Sequence, residues 1–495
     1  MAGLIGHFLA QVQARADRPA VIFRDQVVTY QQMVQQVASV QAQLQAAGIR
    51  RGDRCVVQLP NGITFAVLLL AASAMGITLA PVATSLQAPG VRQALQRCQT
   101  RWWLTYPQQQ LAVPESLRVD LTLSAAECSF AQAQTRLQAQ ADEVDEQAPF
   151  ILTLTSGSTG APKPITLSQA VKWQRINLGA MQAYGLQPGE RVLVASPMYH
   201  SLALRLTLLP LVTGGTAVIL PHFSTQAWLA AVSKHQVTFT LAVSVHLARL
   251  APLLQAHQEA VRTMHTLVSS SAPLDGAVRD QWLRWFPGAL HECYGTSETG
   301  IATNIRLDTL SAEAAVGQVG WPLPQVKVKI VNDKGDAVPP GEIGQIALQT
   351  PMIFAGYYGL PEETAAAFDA QGYFLTGDLG RLDAQGCLYY VGRCKEVIMV
   401  GGINVYPQDI ESVLQAYPGV REVAVVGQPD ERWGEQVVAY LVAEDGKRLD
   451  EWSLRSWCMQ QLADFQQPRR FIFLAALPRN ALGKVDRRRL QAEEV

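Results

Sequence analysis

The run Thr153-Leu-Thr-Ser-Gly-Ser-Thr-Gly-Ala-Pro-Lys163 constrains this chain more than any other stretch, because it sets small hydroxyl residues and glycines behind an apolar, strand-like segment and closes on a lysine. Gly157 and Gly160 let the backbone bend so that successive N–H groups converge on an anion. Thr155, Ser156, Ser158 and Thr159 add hydroxyl donors, and Lys163 adds a point charge. A polyphosphate is the natural guest. The spacing is not that of a Walker A loop, since Ala161 and Pro162 separate Gly160 from Lys163, which argues against a kinase or P-loop ATPase. Taken alone, the same composition suits a solvated surface loop equally well.

With 495 residues, 48% of them hydrophobic, the chain can bury two or more cores and is not a disordered protein. Its 40 basic and 41 acidic residues leave a net charge of −1, so no global field draws nucleic acid or an anionic membrane. The seven cysteines (55, 98, 128, 293, 387, 394 and 458) form no CxxC pair, suggest neither a disulfide framework nor a zinc site, and suit a reducing cytoplasm. The first residues lack the pattern of an export signal. Between Cys55 and Val91 no residue is charged, yet Pro60, Gly62, Gly76 and Pro81 cut the stretch into pieces too short to span a bilayer; a buried core helix is expected there.

Short apolar runs at Val56–Leu59, Arg191–Ala195, Ala217–Leu220 and Thr238–Leu241 alternate with amphipathic segments such as Tyr30–Ala47 and Gln226–His235. The pattern predicts an α/β fold with parallel-rich sheets in a large N-terminal domain. From about Gly317, alternating strands with Gly/Pro turns predict a small β-rich subdomain. Beyond Gly392-Arg-Cys-Lys395 a self-contained pattern predicts a small α+β C-terminal domain: helix Pro407–Tyr417, strands Glu422–Val426 and Gln436–Val442, helix Glu451–Leu462. The expected division is therefore 1–392 and 393–495.

Four later segments complete the constellation: Tyr294-Gly-Thr-Ser-Glu-Thr-Gly300, Tyr373-Phe-Leu-Thr-Gly-Asp378, Gly392-Arg-Cys-Lys-Glu-Val-Ile-Met-Val-Gly-Gly-Ile-Asn-Val-Tyr-Pro407 and Pro478-Arg-Asn-Ala-Leu-Gly-Lys484. With the first run, in this order and spacing, they resemble the adenylate-forming superfamily of acyl- and aryl-CoA synthetases, peptide-synthetase adenylation domains and luciferases, the CoA-ligase form above all. Singly each has a bland reading; five ordered segments together do not. The resemblance implies ATP, Mg²⁺ and a mobile C-terminal domain. It also implies a two-step reaction: a carboxylate attacks the α-phosphorus of ATP, and a thiol then displaces AMP.

The resemblance further assigns parts. Thr155 to Lys163, taking in Ser156, Gly157, Ser158, Thr159 and Gly160, would hold the β- and γ-phosphates. Ser297 would donate to the α-phosphate and Glu298 would ligate Mg²⁺. Tyr294, Gly295 and Thr296 would lie along the nucleotide, faced by Ser271, Ala272 and Pro273; Asp378 would accept from the ribose with help from Arg393; Lys484 would bridge the two reacting anions. Lys395 would be the hinge. The acyl pocket would include His200, Arg205, Ser270, Cys293, Thr299 and Gly300.

Pro164 departs from the pattern, in which glycine follows the cradle lysine, and it removes one N–H. His200, in Pro197-Met-Tyr-His-Ser201, occupies the place where amino-acid-activating relatives carry an aspartate, so a non-amino carboxylic acid is expected, aryl or short to medium acyl. Arg205 lies in an otherwise uncharged apolar stretch. It is either a structural partner of a carboxylate or of backbone carbonyls, or a fork for a polar or anionic group on the acid. Coenzyme A is the expected acceptor, and a carrier-protein phosphopantetheine is the alternative.

Overall fold

The computed structural model describes residues 3–113, 116–123, 128–155, 163–310, 317–479 and 485–492. Contacts group the chain into two compact units, Met1–Lys327 with Leu348–Phe374, and Val328–Ala347 with Leu375–Val495. The second unit thus takes in strands that the sequence pattern groups with the N-terminal part, and the units do not part at 392/393.

In the first unit, a parallel core runs in the order Ala289–Thr296, Thr266–Ser270, Phe239–Val243, Arg191–Val194, Thr216–Ile219, Pro19–Phe23. Antiparallel strands flank it, Gly300–Arg306 at one end and Gln26–Thr29 at the other. From Arg191–Val194 the chain first adds Thr216–Ile219 on one side and then returns to add Phe239–Val243 on the other. That reversal is a topological switch point, where open α/β sheets form a crevice outside the carboxyl ends of their strands. A second sheet has the order Leu117–Asp120, Trp102–Thr105, Arg54–Val57, Thr78–Pro81, Pro149–Thr155, Lys163–Ser168; all its pairs are parallel except the last.

The helices cover these sheets with apolar faces. Ile63–Met75 runs from Gly62 to Gly76, whose φ of 66° suits a left-handed helix end, and nearly every residue in it is buried. This is the expected core helix. No helix among the described residues is long and apolar enough to cross a membrane. Ser201–Thr213 is also largely apolar and is buried apart from its first turns, and it carries Arg205. The helix Gln169–Ile176 passes into a π-helix, Asn177–Gln182. Its first residue, Gln169, is buried: the amide oxygen accepts from the Leu4 N–H at 2.9 Å and the amide nitrogen donates to the Ser73 carbonyl at 3.0 Å. His7 stacks on Trp173 at 3.7 Å. These contacts fix the helix on the helices Gly3–Arg15 and Ile63–Met75.

In the second unit, strands Gly434–Ala443 and Val420–Asp430 pair antiparallel, and Arg470–Phe473 adds in parallel. Helices Pro407–Gln415 and Glu451–Gln461 cover one face, where Ile410, Leu414, Val425, Val437 and Leu454 are buried together; Tyr440, Leu477 and Leu490 close the other. The α+β pattern expected there is found with boundaries shifted by a few residues.

Candidate active site

Four of the singled-out segments leave the carboxyl ends of strands. Pro149–Thr155 leads into the cradle, Arg191–Val194 into Ser196–His200, Thr266–Ser270 into Ser271-Ala-Pro273, and Ala289–Thr296 ends on Tyr294, Gly295 and Thr296. Ser156 to Gly160 and Lys484 lie outside the described residues, as does the Thr155 side chain. The strands on either side of the cradle are fixed, since Thr155 pairs with Lys163 and Leu154 with Pro164. Pro164 therefore belongs to the edge strand, a position that tolerates proline, and its carbonyl accepts from the Tyr358 N–H at 2.8 Å.

The turn between Ala289–Thr296 and Gly300–Arg306 is held tightly. A β-bulge falls at Tyr294/Gly295, and a Cβ on Gly295 would sit 1.9 Å from the Gly300 carbonyl oxygen, so only glycine fits. Gly300 has φ 72°. The Thr299 hydroxyl is engaged inside the turn, accepting from the Thr296 N–H at 3.1 Å, while the Thr296 hydroxyl accepts from the Thr299 N–H at 3.2 Å. Arg175, which the motifs do not flag, locks the turn from behind. Its Nε donates to the Met352 carbonyl at 3.0 Å, and its two terminal nitrogens donate to the Ser297 and Glu298 carbonyls at 3.0 and 2.7 Å.

Tyr357 is a second residue that motif reading misses. Its hydroxyl donates to Glu298 Oε1 at 3.0 Å, and the Lys163 ammonium lies 5.0 Å from its ring centroid, so one aromatic braces the cradle lysine and the turn carboxylate together. Burial, reinforced by Glu298, holds the Tyr357 hydroxyl protonated. Ser271 adopts φ 79°, a left-handed conformation costly for serine, immediately after the buried Ser269 and Ser270. His200 begins the Ser201–Thr213 helix with its ring 4.1 Å from that of Tyr199.

Arg205 is flanked by the Cys293 thiol and the Tyr184 hydroxyl, and by the cations Lys172 and Arg175. Burial pushes Cys293 up to about 11 and Tyr184 well above its usual value, so both flanking groups are neutral. In the second unit, Arg393 Nε lies 3.1 Å from Asp378 Oδ1, the carboxylate buried and the guanidinium exposed. Lys395 is exposed on the adjoining 3₁₀ turn Cys394–Glu396.

A topological switch point, a braced carboxylate and a strained serine at strand ends suit a nucleotide-handling enzyme. The chain belongs to the AMP-binding enzymes: the family model matches residues 8–358, and the model for the AMP-binding enzyme C-terminal domain matches residues 409–484. It is 32% identical to sulfoacetate–CoA ligase of Cupriavidus necator over 96% of this chain and 94% of that protein, and 32% identical to feruloyl-CoA synthase of Amycolatopsis over 92% of each. ATP-bound MatB of Rhodopseudomonas palustris superposes with a TM-score of 0.86 at 27% identity, covering 98% of both chains. MenE of Bacillus subtilis, solved with the acyl-adenylate OSB-AMP, gives 0.86 at 26%, covering 99% and 98%. The protein is thus an adenylate-forming acid–CoA ligase that uses ATP and CoA.

Proposed function

We propose that the enzyme joins a non-amino carboxylic acid to CoA at the crevice described above. The acid's carboxylate oxygen bonds to the α-phosphorus and pyrophosphate leaves. The CoA sulfur then bonds to the acyl carbon, AMP leaves, and the thiol proton passes to solvent. The observation that carries this reading is the brace of Lys163, Tyr357 and Glu298, backed by Arg175: one aromatic side chain contacts both the cradle lysine and the turn carboxylate. A single half-buried carboxylate suits Mg²⁺, which binds through one or two carboxylates plus substrate phosphates. Glu298 would hold the ion, which would screen the phosphate charge as the acid approaches.

Ser297 is assigned to the α-phosphate. Thr155, Ser156, Gly157, Ser158, Thr159, Gly160 and Lys163 are assigned to the outer phosphates. Tyr294, Gly295, Thr296, Ser271, Ala272 and Pro273 take the base, with Asp378 and Arg393 at the ribose, and Lys484 bridges the reacting anions. His200, Arg205, Ser270, Cys293, Thr299 and Gly300 border the acyl group. Residues 393–495 would act as the mobile part, with Lys395 as hinge. The relatives named as CoA ligases favour CoA over a carrier protein, although one relative, from Streptomyces coeruleorubidus, is named a fatty acid–[acyl-carrier-protein] ligase. All seven cysteines are free, which supports work in a reducing cytoplasm. Pyrophosphate release across a panel of acids, with CoA and a pantetheinylated carrier as rival acceptors, tests the reading. Acid-dependent release with thioester formed on CoA is expected, and thioester on the carrier alone would overturn the acceptor assignment.

A further inference from the structure

Lys172 and Arg175 lie three residues apart on one face of the Gln169–Ile176 helix, and that helix packs on Ser201–Thr213, which brings Arg205 to the same place. Lys172 is 2% exposed, and its ammonium nitrogen has no hydrogen-bond acceptor among the described residues. Arg175 is satisfied by three carbonyls. Arg205 Nη1 is sealed from solvent and also lacks an acceptor among the described residues, while the rest of the residue keeps partial exposure. The groups acting on Arg205 are the neutral Cys293 and Tyr184, and the carboxylate that acts on Arg175 is Glu298, already braced by Tyr357. Three basic side chains, Lys172 and Arg175 buried and Arg205 partly so, thus meet with one shared carboxylate. Such an arrangement is costly unless an anion arrives.

Gly179, on the π-helix, lets the backbone pass close to the cluster: a Cβ there would lie 3.0 Å from Met352 Sδ and 3.8 Å from Arg205 Nη1. π-helical turns recur at functional sites. Cys293, beside Arg205, immediately precedes Tyr294, so the cluster borders the end of the strand assigned to the adenylate.

We propose that the acid activated by this enzyme carries a second anionic group, a carboxylate or a sulfonate, which docks against Arg205 with Lys172 behind it. This rests on the acid–CoA ligase reading. Burial, then Arg175 and Arg205, lower the Lys172 pKa well below its usual value, which favours the neutral amine, and an arriving anion would favour proton uptake there. Tyr184, Cys293 and Glu298 are the other titratable groups at the cluster.

The test is acid-dependent pyrophosphate release by the full chain with ATP and CoA. The matched pairs are succinate and monomethyl succinate, glutarate and monomethyl glutarate, and sulfoacetate and propionate. The dianion of at least one pair is expected to be preferred by about tenfold or more in kcat/KM, and the pair that shows it separates carboxylate from sulfonate. Arg205→Leu should lower kcat/KM for that dianion about 100-fold and reverse the preference. Lys172→Met should raise its KM about tenfold with little change in kcat, and Lys172→Arg should restore it. Titration calorimetry in two buffers of different ionisation heat gives an independent readout if Arg205→Leu does not fold: wild type should take up a proton with the preferred dianion and Lys172→Met should not. Equal or better use of the monoanionic partner in every pair overturns the proposal, as do variants that weaken both partners equally. Turnover of monoacids alone overturns this inference but not the ligase reading; no pyrophosphate release with any acid overturns the ligase reading itself.

Discussion

Arg175 shows how much a single side chain can hold. It is buried and donates to the carbonyls of Met352, Ser297 and Glu298, so Arg175→Leu removes this donor from all three, leaves the Glu298 carbonyl with the Phe354 N–H alone, and loosens the turn at once. A loss of roughly 3 kcal/mol in urea unfolding is expected, with a raised KM for ATP. A loss under about 1 kcal/mol would show that the turn stands without it. Gly295 gives a sharper contrast with Gly185. Gly295→Ala must push apart backbone 1.9 Å away and should cut adenylate formation by about 100-fold or more. Gly185→Ala meets nothing within 4 Å and should cost only the roughly 1 kcal/mol of its positive φ, with adenylation kept. Similar activity losses in the two would refute the steric argument.

Among elements, the strand Ala289–Thr296 carries both the site and a pH dependence. Glu292 on it is buried, accepts from the Leu274 N–H at 3.0 Å, and is raised by burial from its usual 4.5 to about 7. The native state therefore holds an extra proton between those values. Stability contributed by this group falls as pH rises across that window, by about 3 kcal/mol, and then stays level. Glu292→Gln keeps an acceptor for Leu274 and removes that slope, so the variant should gain on wild type between pH 5 and pH 8 in urea unfolding. A difference between the two that is constant with pH would contradict the assignment.

Element types were legible wherever apolar period and breakers agreed. The Ile63–Met75 helix is bounded by Gly62 and Gly76, and the strands at 191–194, 216–219 and 239–243 are short apolar runs between turns. The site was legible as motifs because glycines and hydroxyls at fixed spacing survive in one dimension. Arg175, Tyr357 and Lys172 were not legible, since their meaning comes from which distant carbonyl, carboxylate or cation folding brings near. One signal was available: Lys172 and Arg175 are two cations at i, i+3 in the stretch 164–182, which carries no other charge beyond the cradle, the same reasoning that singled out Arg205. Ser271 was named from its motif, but its strain was not legible, because a positive φ leaves no mark on composition.

At the scale of the whole molecule, two chemistries in one crevice call for two sets of neighbours. Lys484→Ala should slow adenylate formation by about 100-fold or more while leaving thioester formation from preformed acyl-adenylate nearly intact. Lys395→Pro, on the exposed turn Cys394–Glu396, should do the reverse. Equal loss in both steps for either variant would remove it from its assigned role. The most direct measurement of the central claim is a single turnover with α-labelled ATP and an accepted acid, quenched before and after CoA is added. The account predicts labelled acyl-adenylate and one equivalent of pyrophosphate before CoA, then AMP and acyl-CoA at the expense of the adenylate. Formation of ADP and phosphate, or AMP release that does not depend on the acid, would contradict it.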